Sequence, residues 1–221
     1  MNDKKFSIII AKNSDLYFNE AKFYIERLQI PQGYVLDVIP VEGAKSLAAA
    51  YNKGMVRSDA KYKVYMHQDV SILNPHFLYD LLTVFEQDEE IGVVGLVGAP
   101  KISESGVPWY ADQIGNMYAI DNANVQFGGY AFRPEDCYTE VDCVEGFLMA
   151  TSRDLKWRDD LFDGWCYAEM AQCLEFRNHG YKIVVPVQRK PWAAHDNGIT
   201  SIFSGYNTYR KILLENYAKF F

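Results

Sequence analysis

The segment Lys63-Val64-Tyr65-Met66-His67-Gln68-Asp69-Val70 runs an apolar, strand-like stretch straight into a polar cluster that ends in one carboxylate. In an open α/β sheet, such an ending delivers a charged side chain to the carboxyl ends of the strands, where ligands of these folds bind. A carboxylate oxygen holding Mg2+ or Mn2+ there would neutralise concentrated negative charge such as a diphosphate. The plainer alternative for Asp69 is a helix cap, serving a helix that starts near Pro75. A second cluster is Pro191-Trp192-Ala193-Ala194-His195-Asp196-Asn197-Gly198. Neutral imidazole ligates Mn2+ and imidazolium binds phosphate oxygen; otherwise His195 is a solvated loop residue, with Asp196 as a neighbour able to orient it. The third is Phe162 to Leu174, where Glu169 stands at a helix start. It is either a carboxylate able to take a proton or a first-turn charge complementing the helix dipole.

These side chains need a scaffold, and the chain spells one out. Phe6 to Ala11 is a continuous, β-branched run suited to a strand buried on both faces. Asn13, Ser14 and Asp15 offer caps for a helix over Leu16 to Leu28. Tyr34 to Val41 reads as a second strand, Leu47 to Val56 as a helix capped by Ser46, and Lys63 to Met66 as a third strand. A helix over Pro75 to Gln87 has Pro in its first turn, and Ile91 to Val97 is a fourth strand. This alternation predicts βαβ units. From Gly98 to Tyr138 glycines, prolines and aromatics interrupt the pattern, predicting a long irregular insertion that is either functional or a peripheral hairpin. Order returns with a strand-like run over Glu140 to Thr151, a helix from Tyr167 to Asn178 with Gly180 as its C-cap, and a strand over Lys182 to Val187. Ser204 to Phe221 carries an apolar helical stripe, for packing on the core or for docking on a membrane surface or partner.

Net charge is −7, from 22 Lys+Arg against 29 Asp+Glu, which argues against a nucleic-acid surface and against polybasic attraction to anionic lipid. No apolar run approaches the roughly 18 residues of a membrane span, and the N-terminal residues lack the apolar core of a signal peptide. The four cysteines show no C-x-x-C spacing, so reduced thiols rather than a zinc site are expected. Cytoplasmic location follows as the expectation. Dinucleotide, P-loop and nucleophile-elbow fingerprints are absent.

Taken with Ala44-Lys45-Ser46-Leu47-Ala48-Ala49-Ala50-Tyr51-Asn52-Lys53-Gly54, the Lys63–Val70 segment resembles the nucleotide-sugar half of family 2 glycosyltransferases. There, a helix carrying Asn and Gly precedes a strand ending in an Asp-x-Asp-like metal motif. His67-Gln68-Asp69 keeps only the last acid, and the His-Gln-Asp-Val variant resembles the branch named after a streptomycin-biosynthesis gene product. The likeness spans roughly residues 5 to 200. It implies one GT-A-like domain over 1–221, a three-layer α/β/α sandwich around a mixed, mostly parallel sheet. Residues 1–97 would form the nucleotide-binding half, 98–200 the acceptor and sugar half, and 201–221 a C-terminal helix. The implied activity is inverting transfer from a nucleotide-sugar to a glycan, lipid-linked or small-molecule acceptor hydroxyl, as in bacterial-type glycan biosynthesis.

In that scheme Mn2+ or Mg2+ is held by Asp69 and His195, and Glu169 is the base. Glu42, Asn52, His67, Gln68, Glu145 and Gly146 meet the donor, while Trp109, Tyr110 and Tyr130, in the irregular insertion, either stack on sugar rings of the acceptor or form a local mini-core. Glu145 and Asp142 are otherwise solvated strand-end charges. Ala171 stands where the family has a second acid, so a nucleotide-sugar-binding protein without activity is the alternative. A nucleotidyltransferase is a further one, but Ala11-Lys12-Asn13-Ser14 lacks the Gly-rich phosphate loop it needs.

Overall fold

The computed structural model describes residues 1–121, 124–129, 137–196 and 205–221. The N-terminal part alternates as the pattern requires: β1 (Asn2–Lys12), α1 (Asp15–Ile25), β2 (Val35–Glu42), α2 (Leu47–Met55) and β3 (Ala60–His67). A short β4 (Val70–Ile72) follows, then α3 (Phe77–Phe85), β5 (Ile91–Gly95) and β6 (Val97–Ala99). The rest comprises β7 (Ile114–Asp121), β8 (Asn124–Gly129), β9 (Tyr138–Val141), β10 (Cys143–Val144), β11 (Leu148–Thr151), α4 (Ala168–Asn178), β12 (Lys182–Pro186), β13 (Ala193–Asp196) and α5 (Tyr206–Asn216).

The main sheet has seven strands in the order β2-β1-β3-β11-β5-β12-β9. β1, β2, β3, β5 and β12 run one way, while β11 and β9 run against them. Because side chains alternate along a strand, the apolar run of β1 feeds both faces. Ile8 and Ile10 pack with Ala21 and Ile25 of α1 and Leu78 and Leu81 of α3. Ile9 points the other way, into a core shared with Leu47 and Tyr51 of α2 and with Ala171 and Leu174 of α4. Three layers result. Ser46 caps α2 as expected, its hydroxyl accepting from Ala49 N at 3.2 Å; Ser14 makes no such bond to α1.

The segment 98–138 departs from expectation. It carries strands, and β10-β6-β7-β13-β4 form a second sheet with β8 paired to β7. Its glycines are points of close approach rather than loop breakers. A Cβ on Gly98 would lie 2.6 Å from the Cys143 carbonyl oxygen, and Gly115, at φ 116°, lies where a Cβ would run into the Leu96 carbonyl. The expected single run over Glu140 to Thr151 is likewise three strands, because β9, β10 and β11 each pair with different partners. At the C-terminus the apolar stripe packs inward. Leu213 and Tyr217 are buried, and the Tyr217 hydroxyl donates to Glu175 Oε1 at 2.6 Å. All four cysteines are free.

Candidate functional site

β3 ends at His67, the chain turns through Gln68 and Asp69, and β4 then leaves the main sheet for the smaller one. There β4 pairs antiparallel with β13, placing His195 opposite Val70, and Asp196 N donates to the Asp69 carbonyl at 2.9 Å. Backbone pairing therefore brings two distant segments to one point. His195 Nε2 lies 3.4 Å from Asp69 Oδ1. His67, Asp69 and His195 each offer a ligand atom, all within 4.8 Å of one another. The His67 and His195 rings meet edge-on at 5.5 Å, and Phe147 stacks on His195 at 5.2 Å and 18°.

Glu169 enters from the first turn of α4, its Oε1 3.0 Å from His67 Nε2. Gly146 makes room for it, since a Cβ there would sit 2.5 Å from Glu169 Cβ and Cδ. Tyr167, just ahead of the helix, adopts φ 68°, a left-handed conformation that costs a non-glycine residue roughly 1–3 kcal/mol. Its hydroxyl donates to the Gly106 carbonyl at 3.0 Å and its ring packs on Tyr206 at 4.9 Å. Glu145 Oε1 accepts from Gln113 Nε2 at 2.8 Å. His67, Glu145, Glu169 and His195 all open onto one cavity of about 410 Å³, whose remaining walls include Val97, Met117, Val144, Phe147, Trp165, Met170 and Tyr206.

Charge coupling is dense here. Burial acts to lower the His67 pKa, but the hydrogen bond and charge of Glu169, aided by Asp69 and Glu145, outweigh it and the net direction is up. Burial acts to raise Asp69, yet the approach and charge of His195 and the charge of His67 hold it below the usual carboxylate value. Glu145 is pushed up, chiefly by burial.

The cluster suits a divalent cation. Asp69 Oδ1 is buried and lacks a hydrogen-bond partner; the 3.4 Å approach of His195 is an ion-pair distance, too long for a good hydrogen bond. A buried carboxylate oxygen without a hydrogen-bond partner beside two imidazoles is a set of atoms able to ligate a metal ion. Asp69 is not a cap, because α3 begins at Phe77 after His76.

Other expected residues stand elsewhere. The Asn52 amide bridges to the Trp157 backbone, accepting from its N and donating to its O, both at 2.9 Å. Gln68 Oε1 accepts from Asn13 N and Ser14 N at 2.9 Å, pinning the turn after β1. Glu42, exposed at the end of β2, pairs with Lys12 at 2.5 Å. None of these three lines the large cavity. Asp142 is ion-paired to Arg177 at 2.8 Å, not simply solvated. Tyr110 is 73% exposed. The Trp109 side chain and Tyr130 lie outside the described residues. Gln113, Phe147, Tyr167 and Tyr206 are site residues that the sequence reading missed. Tyr206, as part of the C-terminal stripe, and Tyr167, inside the Phe162–Leu174 cluster, carried a signal.

Residues 7–217 match the family described as "Glycosyltransferase like family". No curated protein is a significant match. Among solved structures, the mannosyltransferase PcManGT from Pyrobaculum calidifontis, in complex with GDP-Man and Mn2+, is similar at TM-score 0.58 and 15% identity, covering 99% of this chain and 64% of that one. GalNAc-T7 with UDP, GalNAc and Mn2+ is similar at TM-score 0.61 and 11% identity, covering 96% and 48%. S. aureus TarS 1-349 in complex with UDP-GlcNAc is similar at TM-score 0.60 and 11% identity, covering 95% and 64%. The chain thus spans less than two thirds of each of these structures. The shared architecture is the GT-A fold.

Proposed function

Because this chain belongs to the glycosyltransferase-like family, we propose that it transfers a sugar from a nucleoside diphosphate donor to an acceptor hydroxyl with inversion. The observation that carries this reading is convergence. The unsatisfied oxygen of Asp69, the His195 imidazole and the Glu169 carboxylate meet at the end of β3, and His195 and Glu169 line the 410 Å³ cavity. Asp69 and His195 would hold Mn2+, and a cation bound there supplies positive charge for the departing diphosphate. Phe147 fixes the His195 ring by stacking.

Glu169 would take the proton of the attacking hydroxyl, and its bond to His67 Nε2 sets the direction of the carboxylate. A single displacement needs no second carboxylate to form a covalent intermediate, so Ala171 does not block it. Glu145, held by Gln113, is placed to accept from sugar hydroxyls, and much of the cavity wall around it is apolar. Glu42 is assigned to the nucleoside end of the donor. The His67-Gln68-Asp69-Val70 segment is the ground for assignment to the streptomycin-type branch. No helix among the described residues is long and apolar enough to cross a membrane, and a cytoplasmic site of action accords with this reading.

Histidine at 67 and alanine at 171, where the family has acids, favour a second reading: donor binding without catalysis. Thermal stabilisation by UDP- and GDP-sugars with Mn2+ identifies the donor, since a ligand at 100 times its Kd adds about 2.7 kcal/mol. Diphosphate release with acceptors then separates the two readings. At saturating Mn2+, Glu169→Gln is expected to lower turnover roughly 10²–10⁴-fold; wild-type turnover in this variant would remove Glu169 as the base.

A further inference from the structure

We propose that His67 is a third protein ligand of the donor cation and that Glu169 is the carboxylate that holds it, so that the proton acceptor and the cation site form one mechanical unit. This rests on the reading of Asp69 and His195 as a cation site. A ligating imidazole uses one nitrogen for the ion and gives the other, as N–H, to an anchoring acceptor that fixes ring orientation and raises ligand basicity. His67 meets both conditions. Its Nε2 is 3.0 Å from Glu169 Oε1, which leaves Nδ1 for an ion, and it belongs with Asp69 and His195 to the one group of side chains among the described residues with metal-ligand spacing.

The anchor is itself held rigidly. Glu169 is nearly buried and packs against the bare backbone of Gly146. The next residue, Phe147, accepts from His67 N at 3.0 Å and stacks on His195. One turn, Glu145-Gly146-Phe147, therefore touches the base, the His67 backbone and the His195 ring. An isolated Glu–His ion pair would account for the 3.0 Å bond. It would not account for the His67 ring facing His195 beside an unsatisfied, buried Asp69 oxygen.

Glu169 then acts twice, as a positioning residue for the cation ligand and as the proton acceptor, and the two roles separate by metal concentration. Mn2+ alone is titrated by electron paramagnetic resonance into wild type, Asp69→Asn, His67→Ala, Glu169→Gln and Glu169→Ala. Circular dichroism and melting confirm that each variant folds, and the near-isosteric Glu169→Gln guards against collapse of the site. Both Glu169 variants are expected to bind Mn2+ roughly 10- to 100-fold more weakly, the usual cost of losing such an anchor, and His67→Ala at least about as much. Part of the Glu169→Gln turnover loss is expected to recover as Mn2+ rises; the base component is not. If Asp69→Asn loses Mn2+ while His67→Ala and Glu169→Gln bind it within about threefold of wild type, the coupling is wrong and the two-residue site stands. If the wild type does not bind Mn2+, or Asp69→Asn binds it unchanged, the cation site itself is refuted.

Discussion

Gly146→Ala is the sharpest probe of the site, because it adds one methyl group and aims it at one side chain. The new Cβ would sit 2.5 Å from Glu169 Cβ and Cδ and closer still to Cγ, whereas ordinary contact begins at 3.4 Å. Glu169 must therefore shift by about an ångström, which its 3.0 Å bond to His67 cannot survive unchanged. The carboxylate can swing into the cavity beside it, but Glu169 Cβ is fixed to the backbone, so the first turn of α4 must shift as well. A displacement of about 1 Å at a reacting group costs on the order of 10² in rate. Steady-state kinetics should thus show kcat down about 100-fold, together with a lower melting temperature from the strain at the start of α4. Retention of wild-type kcat would refute the requirement for Glu169 at its observed position. Unfolding of the variant would instead show that the Gly146–Glu169 contact serves packing.

Three further outcomes are expected. Asp69→Asn should weaken nucleoside diphosphate binding in Mn2+ at least tenfold, about 1.4 kcal/mol, with no difference from wild type in EDTA; isothermal titration reads both. Tyr167→Phe, which deletes the bond to the Gly106 carbonyl, should cost about 0.5–1.5 kcal/mol in urea unfolding, and an unchanged midpoint would show that this bond adds nothing. Glu145 has a raised pKa in the folded state, chiefly through burial, so it binds its proton more tightly folded than unfolded. Its stabilising contribution is present below pH 4.5 and lost as pH rises through the folded pKa. Glu145→Gln should therefore melt higher than wild type at neutral pH, with the gain vanishing in acid.

The strands and helices were legible wherever burial follows a simple period. β1, β2, β3, β5 and β12 lie where the apolar runs put them, and α2 and α4 follow their caps and stripes. His67, Asp69, Glu169 and His195 stood out by residue type next to a strand or helix end, and the structure brings them together. The amides of Asn52 and Gln68 are read from sequence equally well as ligand contacts or as braces. Here the partners are backbone groups far along the chain, at Trp157 and at Asn13–Ser14. Nothing local to either residue announces that.

The same limit explains the segment after β5. Gly98 and Gly115 look like interruptions in a one-dimensional pattern, yet each is bare because a neighbouring backbone passes too close for a side chain. Those approaches build the second sheet, and the sheet decides where His195 goes. β13 is gripped on one side by β7 and on the other by β4, so His195 lies opposite Val70, one residue past Asp69. A one-residue slip in that pairing would turn His195 to the opposite face and take it away from the carboxylate. What the sequence offered as an irregular insertion is thus the frame that sets the position of His195 in the His67–Asp69–His195 cluster. Substitutions that widen the β6–β7 approach, such as an alanine at Gly115, should act on His195 before they act on the core.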